Sequence, residues 1–214
     1  MSDLRPSFKQ RTIRSLFLSY DKTQKTTEDV ENEILTTGMK YIQLKLPVEK
    51  ITKEFEAEIT RKVEKSFLNA KIRDATKRDL ESVVYMYNRS WMTSCTPFSP
   101  ISIDTLKKIL EYPETKILIA RVYGIDGGFV ILDLEGPNNE YGVIAGLGVL
   151  PRFQRKGLGT VLGMAAWNHF KNLGVKELRC EVYHENKVSH TFIVSLGFEE
   201  FGEKVYKSED FQLE

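Results

Sequence analysis

Apolar residues recur along the chain with two periods. In Tyr41–Leu46 they alternate, so that Ile42, Leu44 and Leu46 face one way, and Pro47 ends the run. That pattern predicts a half-buried strand. The period then changes. Ile51, Phe55, Ile59, Val63 and Phe67 fall every four residues on one stripe, which predicts an amphipathic helix. Glu49 with Lys53, and Glu58 with Lys62, have the spacing and polarity of helical ion pairs on the solvent side. A face of five large apolar residues needs a partner surface, so this helix is expected to dock on the rest of the chain.

From residue 71 short elements follow one another. Lys71–Ala75 reads as a strand. Thr76 and Asp79 have the spacing of a capping box, ahead of a helix face of Leu80, Val83, Val84 and Tyr87. Ser90–Ile101, with Pro97 and Pro100, reads as a loop, and Ser102 caps a second helix through Leu110, stopped near Pro113. Lys116–Val122 is a strand, Gly124–Gly128 its turn, and Phe129–Leu134 the next strand. Gly136-Pro137-Asn138-Asn139 turns the chain again. Tyr141–Leu150 is a long strand with three glycines. Thr160–Asn172 is a helix closed by Gly174, Glu177–Tyr183 a strand, and Lys187–Ser195 a helix ended by Gly197. One or two last strands surround Val205 and Tyr206. The first 25 residues hold six basic and two acidic side chains and read as a tail or short helix.

Composition narrows the class. The chain has 214 residues, 41% apolar and 29% charged, enough to bury a core. Its length suits one domain plus an extension. The expected division is an extension over 1–70 packing on a domain over 71–214. A net charge of +1 excludes a globally basic nucleic-acid binder. Cys95 and Cys180 make neither a disulfide framework nor a CxxC site, and His169, His184 and His190 form no HExxH pattern, so no metal is expected. The longest apolar run, Ile144–Leu150, is far shorter than the ~18 residues of a membrane span. A soluble, cytoplasmic protein without a membrane or nucleic-acid partner is the expectation.

The chemistry concentrates in Val149–Thr160, which passes from a strand through a basic loop into a helix. Gly157 and Gly159 let a backbone approach a ligand closely. N–H groups at a helix start point outward and the helix dipole favours an anion there, while Arg155 and Lys156 add full positive charge. This describes a phosphate or pyrophosphate site. A Walker A loop does not fit, because Gly159-Thr160 lacks the intervening Lys and Lys156 comes too early. A dinucleotide fingerprint is a closer rival through Gly157, Gly159 and Gly163, but Pro151 and five polar or aromatic positions separate strand from glycine. A plain turn and helix start remains the simplest reading.

Downstream residues distinguish these readings. Gln154-Arg155-Lys156-Gly157-Leu158-Gly159, after a strand and Pro151, resembles the Arg/Gln-x-x-Gly-x-Gly/Ala motif of the GNAT superfamily, the acyl-CoA-dependent N-acetyltransferases. Asn186, a short helix through Phe192, and Leu196-Gly197-Phe198 resemble that family's second motif. Ile72–Thr76 with Asp79-Leu80 looks like its first strand and helix. The resemblance covers roughly residues 71 to 203, and the order and spacing of the motifs carry it.

The resemblance implies an α+β acyl-CoA N-acyltransferase fold, with a central mixed, mostly antiparallel sheet flanked by helices and preceded by an N-terminal extension. It implies transfer of an acetyl group from acetyl-CoA to a primary amine by direct attack. It assigns Gln154, Arg155, Lys156, Gly157, Leu158, Gly159 and Thr160 to the coenzyme pyrophosphate, and Leu147, Gly148 and Val149 to the pantetheine arm. Asn186 and Phe192 are expected beside that arm. A bulge splays the long strand in this family, and Gly146 and Gly148 would permit one. The family's thiolate-protonating Tyr maps to Ile193, which has no hydroxyl. A non-catalytic acetyl-CoA-binding or sensing module is the alternative function. Glu140 and His184 are the candidates for the base, and the face of Glu181 is open. Trp91, Met92, Phe98 and Ile101 are candidates for contact with the acceptor, a small molecule or a protein amine. The protein is expected to be a monomer or homodimer.

Overall fold

The computed structural model describes residues 9–10, 38–64, 69–94, 100–207 and 210. The readings of Phe67, Cys95 and Phe98, and of the N-terminal tail apart from residues 9 and 10, lie outside them. The chain forms β1 (Met39–Pro47), α1 (Lys53–Glu64), β2 (Ala70–Asp74), α2 (Leu80–Trp91) and α3 (Ile103–Ile109). There follow β3 (Lys116–Val122), β4 (Ile125–Glu135), β5 (Tyr141–Val149), α4 (Leu158–Lys171), β6 (Glu177–Tyr183), α5 (Lys187–Ser195) and β7 (Glu199–Tyr206).

The caps form where the sequence places them. Thr76 Oγ1 accepts from the Arg78 N–H at 3.3 Å, and Asp79 Oδ2 accepts from the Thr76 N–H at 2.7 Å. The box closes a short 3-10 turn, Lys77–Asp79, from which α2 continues. Ser102 Oγ accepts from the Thr105 N–H and starts α3. Glu58 and Lys62 pair at 2.9 Å on α1, whereas Glu49 falls in a 3-10 turn ahead of that helix.

The turn expected over Gly124–Gly128 is shorter. Tyr123 and Gly124 alone reverse the chain, both with positive φ (49° and 80°), the geometry of a two-residue hairpin. Gly127 and Gly128 belong to β4. Close packing demands the first glycine, because a Cβ there would stand 2.8 Å from the Phe153 ring.

The seven strands make one mixed sheet in the order β2-β3-β4-β5-β6-β1-β7. Every neighbouring pair is antiparallel except β5–β6. β1 pairs with β6 on one edge (Gln43↔Glu181) and with β7 on the other (Gln43↔Gly202). The strand read at 41–46 is therefore an interior strand of the main sheet, with β6 and β7 on either side. Leu44 and Leu46 are buried, and Ile42 packs beside them.

Helices cover both faces. On one face α4 lies under β4 and β5, where a Cβ on Gly142 would strike the Phe170 ring. α1 packs beside α4. Ile59 is buried, Phe55 lies against Gly197, and Glu56 Oε1 accepts from Trp167 Nε1 (2.7 Å) and Lys171 Nζ (2.6 Å). On the other face α2 stacks Tyr87 and Trp91 at 4.4 Å, with Phe129 of β4 against both rings. One contiguous core joins the elements. Among the described residues no helix is long and apolar enough to cross a membrane.

Candidate functional site

The site begins with a fault in the sheet. β4 and β5 pair in register from Gly128↔Val149 to Ile131↔Gly146, and the next pair is Leu132↔Ile144. Ala145 is the extra residue, so β5 bulges there. The bulge exchanges the faces of the strand. Gly142 looks onto Phe170 of α4, whereas Gly148, also even-numbered, lies under Ser90 of α2 and Gly146 under Trp91. The expectation of a bulge near Gly146 and Gly148 is met one residue earlier.

The bulge also parts β5 from β6. Their parallel pairing runs from Tyr141↔Glu177 to Ile144↔Cys180. Among the described residues the two strands pair no further. Ala145–Val149 stays with β4, and Glu181–Tyr183 stays with β1. A wedge opens between them toward the C-terminal ends of both strands. Leu147, Gly148 and Val149 form one side of it. Gln154 Nε2 donates to the Val149 carbonyl at 2.9 Å and to Thr93 Oγ1 at 3.3 Å, tying the loop to that side.

The basic loop stands at the mouth of the wedge. Phe153 and Leu158 are buried and pin it to the core, while Gln154, Arg155 and Lys156 are exposed. Arg155 (φ 56°) and Gly157 (φ 85°) both take left-handed torsions, which cost an L-residue with a Cβ about 1–2 kcal/mol. Gly157 is the N-cap of α4, and no side chain caps that helix. The first helical hydrogen bond runs from the Val161 N–H to the Gly157 carbonyl. The N–H groups of Leu158, Gly159 and Thr160 precede it and face the loop. The helix dipole favours an anion at this start, and the exposed Arg155 and Lys156 immediately precede it in the loop.

α5 forms the opposite wall. Asn186 is buried and caps the helix, its Oδ1 accepting from the Ser189 N–H at 3.1 Å. Phe192 packs on the start of α4, since a Cβ on Gly159 would come within 3.1 Å of its ring. Ile193 packs against the core and brings no hydroxyl. Loop, strand edge, Asn186 and Phe192, far apart in sequence, are thus gathered around one opening. On the α2 side Ser90, 8% exposed, has a hydroxyl over Gly148 with no hydrogen-bond partner among the described residues.

The two candidate bases separate. Glu140 lies just before β5, at the end away from the Gly157 loop. Its Oε2 accepts from the Asn138 N–H at 2.8 Å, and that bond holds its carboxyl below the usual range. At roughly 3.3 Å per strand residue it is about 25 Å from the loop end of β5. His184 follows β6 at the wedge end, with its ring 4.7 Å from that of Tyr183.

The structure adds a carboxylate that strand alternation alone did not orient. Glu181 is the first β6 residue past the last β5 pair, and it sits on the α2 face. Its Oε1 accepts from Gln43 Nε2 at 2.9 Å and its Oε2 from the Tyr206 hydroxyl at 2.8 Å. Burial, and then the Glu181 charge, push the Tyr206 hydroxyl pKa well up. It stays a proton donor to that carboxylate. Cys180, on the other face, is buried and its thiol is pushed up to about 12. It carries no nucleophilic role at neutral pH. Among the described residues no three His, Cys, Asp or Glu side chains converge on a possible metal position.

The chain thus sets a sheet split by a bulge above a glycine-capped helix start with basic flanks. Residues 82–198 match the family described as "Acetyltransferase (GNAT) family", and the chain belongs to it. No curated protein sequence matches the chain. Solved structures share its fold. The aminoglycoside N-acetyltransferase AAC(6')-Iy, in complex with CoA, aligns with a TM-score of 0.54 and 22% identity over 65% of this chain and 93% of its own. The PaiA N-acetyltransferase of Thermoplasma acidophilum, in complex with coenzyme A, also gives 0.54 and 22%, over 65% and 100%. The aminoglycoside 6'-N-acetyltransferase AAC(6')-IG of Acinetobacter haemolyticus gives 0.54 and 23%, over 64% and 97%. β1, α1, β2 and β7 lie outside the segment matched to the family.

Proposed function

We propose that this chain transfers an acetyl group from acetyl-CoA to a primary amine, with donor and acceptor bound together. The observation that supports it most is the wedge between β5 and β6 opening onto the uncapped start of α4. Leu158, Gly159 and Thr160 would donate their N–H groups to the pyrophosphate, with Arg155 and Lys156 adding charge. The Leu147–Val149 edge would hold the pantetheine arm as a strand neighbour. Asn186 and Phe192 would close the other side, and the Ser90 hydroxyl waits for a polar partner nearby. Bound there, the coenzyme supplies an activated acyl group.

The protein's work is then positioning and proton removal. Holding amine and thioester in contact removes much of the entropic barrier. An ammonium cannot attack, so a base must take its proton. Glu181, at the point where the strands part, is best placed for this, with His184 at the end of β6 as the second candidate. Glu140, at the far end of β5, has no part in this reading. Ile193 cannot protonate the departing sulfur, which leaves that proton to water. Acceptors reach the wedge on the α2 side, past Trp91. Aminoglycosides, named for the solved relatives, head the acceptor screen, followed by small amines and protein amines.

Thermal shift titrations with acetyl-CoA, free CoA and NADP test the donor site. A ligand of the folded state raises the melting temperature with concentration. Both CoA species should raise it and NADP should not. Amine-dependent release of free thiol then tests turnover. A shift without thiol release across the screen would replace catalysis by acetyl-CoA binding alone, and no shift with either CoA species refutes the proposal.

A further inference from the structure

The α2 face of the sheet carries a second built feature, on its β6–β1–β7 half. Tyr41, buried, pairs across the strands with Tyr183. Its ring meets the rings of Tyr183 and Tyr206 edge-on, at 5.8 and 5.7 Å. Gln43 and Glu181, one strand step along, extend this aromatic patch with the carboxylate described above. Among the described residues each Glu181 oxygen accepts from one donor, fewer than a carboxylate oxygen can take.

One amine already stands there. Lys9, in a helical turn, holds its Nζ 4.3 Å from the centroid of the Tyr41 ring. Lysine ammonium groups ordinarily stay in water, because burial strips their hydration. Here the ring face offsets part of that cost, and Glu181 lies near enough to act on the charge. Burial outweighs that effect and lowers the Lys9 pKa, which favours the neutral, nucleophilic amine. Tyr41 pairs with Tyr183, two residues past Glu181, so this amine lies on the face and at the end of β6 where the wedge opens.

We propose that Lys9 is a built-in acceptor, acetylated on Nζ by this chain's own site, with the Tyr41 ring holding the amine and the nearby Glu181 carboxylate as its base. The proposal rests on the donor reading above and names the first acceptor of that site. The Lys9 ammonium gives a proton to Glu181 through water. The nitrogen lone pair forms the N–C bond to the acetyl carbon. The C–S bond breaks with its electron pair on sulfur, the nitrogen gives its second proton to water to leave the neutral amide, and CoA leaves as the thiol after taking a proton from water. The product is a neutral amide, which has no charge to place on the Tyr41 ring or beside Glu181.

The test is peptide mass spectrometry on the full chain incubated with isotope-labelled acetyl-CoA, with thermal shift run alongside. Lys40 and Lys45 of β1, with side chains 43% and 37% exposed, report uncatalysed acetylation. Lys9 should acquire label on the order of 10²-fold faster than either, the low end of general-base acceleration. The labelled fraction per unit time should not change on tenfold dilution of the protein, as an intramolecular reaction requires. Glu181→Gln should slow Lys9 labelling to the rate of Lys40 while keeping the acetyl-CoA thermal shift. If that variant does not fold, selectivity and dilution on the unaltered chain decide. A normal acetyl-CoA shift with Lys9 labelled no faster than Lys40, or at a rate that falls on dilution, overturns this proposal and leaves the donor site standing. No shift and no labelling overturns both.

Discussion

Replacing Gly157 by alanine isolates the contribution of one backbone torsion to the donor site. Gly157 caps α4 at φ 85°. A Cβ in that left-handed conformation costs about 1–2 kcal/mol. For a chain of this size each kcal/mol lowers the melting temperature by roughly 2–4 °C. Gly174 provides a matched control. It has φ 69°, an added Cβ there meets nothing within 4 Å, and it follows the other end of α4, about 20 Å away at 1.5 Å per residue. Gly157→Ala and Gly174→Ala should therefore lose similar stability without ligand. They should differ with acetyl-CoA. If the loop relaxes to escape the strain, the N–H groups of Leu158, Gly159 and Thr160 lose their common aim, and 1–2 kcal/mol corresponds to about 5–30-fold in affinity. At fixed ligand that removes the same energy from the ligand-linked stabilisation. Scanning fluorimetry with and without acetyl-CoA reads both quantities. Equal ligand-induced rises in the two variants would show that the Gly157 torsion has nothing to do with binding.

Three further outcomes are expected. Gly148→Ala places a Cβ 2.4 Å from Phe129 Cε1, in a stack that cannot retreat, and should cost about 1–3 kcal/mol in denaturant melts. Asp79→Asn removes the bidentate Arg73 contacts (2.8 and 2.9 Å) and the cap of Thr76, a loss of about 1–3 kcal/mol. Arg73 first, then the Thr76 N–H, hold the Asp79 carboxyl far below its usual range. Its stabilisation is therefore complete above the ordinary carboxyl pKa near 4 and fades as pH falls below it. The gap between wild type and Asp79→Asn should shrink only in acid. Deleting residues 1–68 removes β1 from between β6 and β7, and circular dichroism should show no cooperative melt. A stable fragment beginning near residue 70 would contradict that role for β1.

The elements were largely legible because their signals are local. Lys116–Val122, Glu177–Tyr183 and Lys187–Ser195 fall where β-branched alternation, Asn186 and Gly197 place them. The basic loop was legible for the same reason, since glycines, cations and a helix start are neighbours in sequence. Three features were not. Gly127 and Gly128 read as turn residues, and only the Phe153 ring and the β5 backbone, encountered in three dimensions, make them strand residues. The position of β1 inside the sheet depends on pairing with residues 138 positions away, which no window of periodicity contains. Glu181 alternates with its neighbours like any strand residue. Its importance arises because β5 leaves β6 one residue earlier, and that departure is caused by a bulge at Ala145, a residue with no turn or ligand signal of its own.

The place of β1 sets the order in which the molecule can be made. Met39–Pro47 is synthesised well before both strands that flank it, Glu177–Tyr183 and Glu199–Tyr206. At roughly 5–20 residues per second, this half-apolar strand waits on the order of ten seconds for Glu181 and its neighbours to emerge. Until then its edges are unmatched and open to pairing with any other extended chain. The sheet closes like a clasp, with an earlier strand caught between two later ones. The wedge between β5 and β6, whose far wall is β6 backed by β1, exists only after that capture. A chain that stops before β6 lacks this wedge however well β2–β5 have formed.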